Sequence, residues 1–133
     1  MNKPIALLAL TFILPVSGCS SPDDKAREAI ADVHSWSATA RMAARQWRGG
    51  ATPTGYTMRT VETAQQNIRE AFQQIASTPL SGGVATDVDT MVALAGAMKP
   101  AVEHGDRDEM RKLEEALARQ EQQLRGDTVE RGR

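Results

Sequence analysis

Four breaks partition the chain between residues 21 and 125 into segments that read as helices. They are Ser21-Pro22-Asp23-Asp24, Gly49-Gly50, Ser81-Gly82-Gly83 and His104-Gly105. Between them apolar residues recur at helical spacing, alanine is abundant, and β-branched runs are missing. That pattern selects helices closely packed against one another rather than strands.

Each segment carries its own start or stop chemistry. Ser21 suits an N-cap and Pro22 the first helical position, so a helix is expected from about residue 22 to 48, ending at Gly49-Gly50. Its apolar face is Ala29, Val33, Trp36, Ala40, Ala43 and Trp47. A second helix, about 53–77, carries Met58, Val61, Ile68, Phe72 and Ile75, with Gln65 inside the stripe. A third, about 87–104, has Thr86 as its cap and Asp87 and Asp89 in its first turn. Its core face is Val88, Met91, Val92, Ala95, Met98 and Val102, and Pro100 should kink or end it. The fourth, about 107–125, has a capping pair in Asp106 and Glu109 and a stripe of Met110, Leu113, Leu117 and Leu124, interrupted by Gln120. Residues 126–133 are polar and are expected to be a disordered tail.

Short connections make successive helices antiparallel neighbours. The expected fold is all-α, a small up-down four-helix bundle over residues 22–125. A three-helix core with a projecting fourth helix is the alternative, because the last segment is so polar. None of these segments would be stable alone, so they must pack together.

The chain contains little that reads as catalysis. Its one cysteine is Cys19, and its two histidines are His34 and His104. A Ser-His-Asp arrangement needs a placed histidine, whereas His104 has a plain role at a helix end and His34 falls on a polar face. The absence of a Cys-x-x-Cys-His run excludes covalent haem. Met91, Met98, Met110 and His104 could hold a cofactor, but methionine at this spacing reads as core filler. No metal ligand set and no cofactor are therefore expected. The 16 basic residues nearly balance 17 acidic ones, which argues against a nucleic-acid partner.

Residues 1–18 have the three parts of a secretory signal: Lys3 near the start, an apolar stretch from Ile5 to Val16, and small residues Ser17-Gly18. The apolar stretch is about a dozen residues, short of the ~20 that span a bilayer. Val16-Ser17-Gly18-Cys19 resembles the lipobox of bacterial lipoprotein precursors. That resemblance implies cleavage between Gly18 and Cys19, diacylation of the Cys19 thiol, and a short tether over residues 19–21. Ser20 after the cysteine, by the same resemblance, favours the periplasmic face of the outer membrane over retention at the inner membrane. Two or more acyl chains give stable anchoring.

Three surfaces remain as candidates. Trp36 and Trp47 share a face and read as core, with an aromatic platform for a glycan or peptide as the competing reading; Tyr56 is placed to pack near them. Arg27, His34, Arg41, Arg45 and Arg48 fall within about 60° of one another on the first helix. They form a candidate basic stripe for anionic head groups, or a plain solvated face. Ala93, Gly96 and Ala97 form a small-residue face on the third helix, a candidate surface for a partner or a second copy. The expected function is a lipid-anchored envelope protein with a non-catalytic binding, adaptor or structural role. The alternative is a periplasm-facing bundle holding a small ligand or metal in its interior.

Overall fold

The computed structural model describes residues 21–79 and 82–131, the last for its backbone only. The signal segment, Gly18 and Cys19 lie outside the described residues. The described chain forms α1 (Pro22–Arg48), α2 (Thr54–Ala76), α3 (Gly83–Glu103) and α4 (Arg107–Arg131). The fold is an all-α four-helix bundle. In order around the bundle, α1 packs on α2, α2 on α3, α3 on α4, and α4 closes sparsely on α1. The fourth helix is thus an integral wall rather than a projection.

Local chemistry sets the helix ends. The Ser21 Oγ accepts from the Asp24 N–H at 3.2 Å, and the Asp106 Oδ1 accepts from the Glu109 N–H at 2.9 Å. Both satisfy amides that a helix start leaves free. α1 and α3 end alike. The Gly50 and Ala51 amides bond the Trp47 and Gln46 carbonyls, and the Gly105 and Asp106 amides bond the Val102 and Ala101 carbonyls. Gly50 at φ 76° and Gly105 at φ 67° adopt the left-handed conformation these closures require. Pro100 sits in the final turn of α3, which continues through it to Glu103.

One apolar core runs the length of the bundle. Val33, Ile68, Met91, Leu117 and Leu124 are fully buried, one or more from each helix. Met98 and Met110 are equally buried in the same cluster. Gln65 lies over Gly96, where a Cβ would collide with its amide. Gly96 therefore serves the α2–α3 contact and is half-buried, while Ala93 and Ala97 are exposed.

Two boundaries depart from the sequence reading. α3 starts at Gly83, not at residue 87, and Gly82 rather than Thr86 stands at its cap. The Thr86 hydroxyl instead bonds back to the Gly82 carbonyl at 3.2 Å. The earlier start adds a turn that buries Val84 and turns Asp87 inward. α4 correspondingly continues past residue 125 to Arg131 rather than dissolving into a tail. Its extra turns have the extended α3 to lie against, and the Thr128 hydroxyl bonds the Leu124 carbonyl at 3.0 Å.

Candidate functional site

The α1–α4 seam is where the bundle departs from an apolar interface. α4 places Glu114 and Glu121 inward, at 7% and 5% exposure, beside the leucine stripe. α1 meets them with the residues of its basic stripe. The Arg48 Nη2 donates to Glu114 Oε2 at 2.6 Å and Arg45 Nε to Glu114 Oε1 at 3.1 Å. The Arg41 Nη1 donates to Glu121 Oε2 at 2.7 Å, joined by the Ser37 hydroxyl at 3.2 Å. His34 Nδ1 lies 3.6 Å from Glu121 Oε1 without a hydrogen bond, and that oxygen accepts from Arg125 Nη2 at 3.2 Å.

This geometry gives part of the basic stripe of α1 a partner inside the bundle. Arg41 and Arg48 are held by carboxylates of α4, and Arg45 reaches Glu114 through Nε alone with its side chain 67% exposed; His34 lies beside Glu121 without a hydrogen bond to it, and Arg27 stands exposed without a carboxylate partner among the described residues. The Arg41 and Arg48 guanidiniums are therefore available to a head group only if their pairs break, whereas Arg27 and most of Arg45 face solvent. Burial alone would push the Glu121 carboxyl up, but hydrogen bonds from Arg41, Arg125 and Ser37 hold it below the ordinary range. Burial, assisted by the Arg125 charge, lowers His34 against the opposing pull of Glu121. His34 thus favours its neutral form.

A second polar cluster joins α3 to α4. Asp87 is only 4% exposed. Its Oδ1 accepts from Gln120 Nε2 at 2.7 Å and from Gln123 Nε2 at 3.1 Å. Its Oδ2 is buried without a hydrogen-bond donor, and half-buried Asp127, one helical turn beyond Gln123 on the same face of α4, adds a second carboxyl on this side. Burial first, then the Asp127 carboxyl, push Asp87 up from 3.8 to about 6, against the opposing Gln120 bond. Gln120, an interruption in the sequence stripe of α4, has its reason here.

The tryptophans are mostly spent on packing. Trp47 is 5% exposed, its Nε1 donates to Thr54 Oγ1 at 3.2 Å, and the Arg107 guanidinium lies 5.6 Å from its ring centroid. Trp36 is half-buried against the core. That excludes a platform built from both rings. Tyr56, expected near them, is 59% exposed.

Among the described residues, no group of three or more His, Asp or Glu side chains is placed to hold a metal ion. Met91, Met98 and Met110 are interior, while His104 is exposed at the end of α3. No described helix is long and apolar enough to cross a membrane. Comparison with family models, curated proteins and solved structures returns no match. The fold is a four-helix bundle whose α1–α4 seam buries two carboxylates paired with arginines.

Proposed function

We propose that the chain is a lipid-anchored bacterial envelope protein with a non-catalytic adaptor or structural role. It is held through Cys19 after cleavage at Gly18, at the periplasmic face of the outer membrane. The observation that carries this reading is the sequence Val16-Ser17-Gly18-Cys19 at the end of a secretory-type apolar stretch. Its position three residues before the start of α1 adds that a bundle anchored there would sit close to the bilayer. Supporting the non-catalytic part, Glu114 and Glu121 are committed to arginines, and Met91, Met98 and Met110 fill the interior beside leucines. The partner would be another envelope protein, and no nucleic acid or cofactor enters the reading.

The anchor is tested in a bacterial host supplied with labelled palmitate. The wild-type chain is expected to take up label, shorten by its first 18 residues, and sediment with outer membranes. Cys19→Ala is expected to lose the label and retain the precursor mass. Unlabelled wild-type protein, or Cys19→Ala that is processed and membrane-bound like wild type, would overturn the anchor. Affinity purification of the lipidated protein from membranes tests the adaptor role. A stoichiometric envelope protein is expected, and its absence after cross-linking would count against that role.

A further inference from the structure

The start of α3 and the end of α4 meet at the end of the bundle where α1 begins and α2 ends. There two carboxyls from different helices face each other, and one belongs to a residue almost wholly removed from water. Two ionised carboxylates this close in a poorly solvated place repel strongly. Both glutamine amides donate to Asp87 Oδ1, which leaves Oδ2 with nothing to accept. A single proton on the pair answers both problems. It removes one charge and supplies the donor for an O–H···O bond across the gap, among the stronger hydrogen bonds available.

The chain around Asp127 is suited to being held or released. Gly126 precedes it inside α4, with open space where a Cβ would lie. Glycine inside a helix weakens it relative to alanine. Beyond it Val129 is 61% exposed, and Asp127 and Thr128 are the half-buried residues that remain. The Thr128 hydroxyl bonds only within α4. Asp127 is therefore the half-buried ionisable group of this last segment.

We propose that Asp87 and Asp127 form a one-proton latch that fastens the last turns of α4 to α3 in mild acid and releases them when the proton leaves to solvent. The groups facing Asp87 from α4 are Asp127, which is ionisable, and Gln120 and Gln123, which are not. The charge of Arg125 is directed to Glu121 on the α1 side. At this end the core faces of α1 and α2 are Ala26, Ala29, Ile30 and Val33, and Ile68, Ala71, Phe72 and Ile75, none of them ionisable. The sign follows from the raised Asp87 value. The proton's contribution to stability is fully present below the unfolded value of 3.8 and is lost as pH rises to about 6.

The test is a carboxyl-carbon NMR titration of the intact protein, with amide exchange measured at pH 5 and pH 7.5 and corrected for intrinsic rates. The Asp87 carboxyl is expected to lose its proton near pH 6. Amides of residues 127–130 are expected to lose protection at least ~10-fold between the two pH values. Asp127→Asn should return Asp87 to a single, lower step and flatten the pH dependence. Asp87→Asn, whose amide can donate permanently to Asp127, should keep the segment protected at both values. Equal protection of wild type at both pH values would overturn the latch. So would an Asp87 titration near 4 in wild type, or an undiminished pH response in Asp127→Asn.

Discussion

Replacing Glu121 by alanine is expected to destabilise the protein by about 3–4 kcal/mol at pH 7, measured by urea unfolding. The magnitude follows from what the substitution leaves behind. Removing one partner of a buried ion pair strands the other without water, typically at about 3–5 kcal/mol. Here Arg41, with its side chain 27% exposed, and Ser37, fully buried, would both lose their acceptor. Arg125 is 65% exposed and can recover solvent, so it adds little. Glu114→Ala is expected to cost less, because Arg45 at 67% exposure rehydrates readily. A Glu121→Ala loss below about 1 kcal/mol would mean that water already reaches the seam.

The pH dependence of the seam opposes that of the carboxyl pair. Glu121 is held below its ordinary value of 4.5, so its contribution is full above that value and is lost as pH falls through the lower folded value. Asp87 contributes most in acid and least above about 6. His34, lowered from 6.5 by burial, disfavours protonation and so takes stability away as pH falls through that region. Wild-type stability therefore reflects three groups of differing sign, and Glu121→Ala isolates the first. Its cost should shrink towards acid, where wild-type Glu121 itself becomes protonated.

The sequence reading succeeded where the signal was local and failed where it lay across the bundle. Ser21, Asp106, Gly50 and Gly105 punctuate the helices because cap and left-handed geometries demand those residue types within a few positions. Val33, Ile68, Met91 and Leu117 follow from period alone. The basic stripe was visible, but its destination was not, because the matching acids sit on a helix whose overall polarity suggested exposure. A signal was present. Arg41 and Arg48 are seven residues apart, and so are Glu114 and Glu121, which match them in the opposite direction. In antiparallel helices that equal spacing places 41 against 121 and 48 against 114. Asp87 was missed for a different reason. Treating Thr86 as a cap put Asp87 in a solvated first turn, where a negative charge interacts well with the helix dipole. Gly82 at the actual start gave no side-chain cap to read. Serine at position 37 escaped because a hydroxyl carries no hydrophobic signature, although Glu121 across the seam makes its burial tolerable.

Trp47→Ala is expected to cost about 3–5 kcal/mol, the usual range for removing a buried large aromatic. The ring does more than fill space. It lies in the last turn of α1, bonds Thr54 at the first residue of α2, and sits beneath Arg107 at the first residue of α4. Three of the four helices therefore meet on one side chain at the end of the bundle far from the start of α1. The cation over the ring contributes about 0.5–1 kcal/mol at such an accessible edge, and the indole N–H bond a similar amount. Apolar burial supplies the remainder. Trp47→Phe keeps most of that burial and is expected to cost about 1–2 kcal/mol, chiefly the indole bond and the lost ring area. Trp36→Ala should cost less than Trp47→Ala, since Trp36 is only partly buried and no bond ties it to another helix. Denaturant unfolding of the three variants provides the comparison, with Trp36 serving as the fluorescent reporter in the Trp47 variants. A Trp36→Ala loss equal to or larger than that of Trp47→Ala would show that the far end of the bundle is held by something other than this junction.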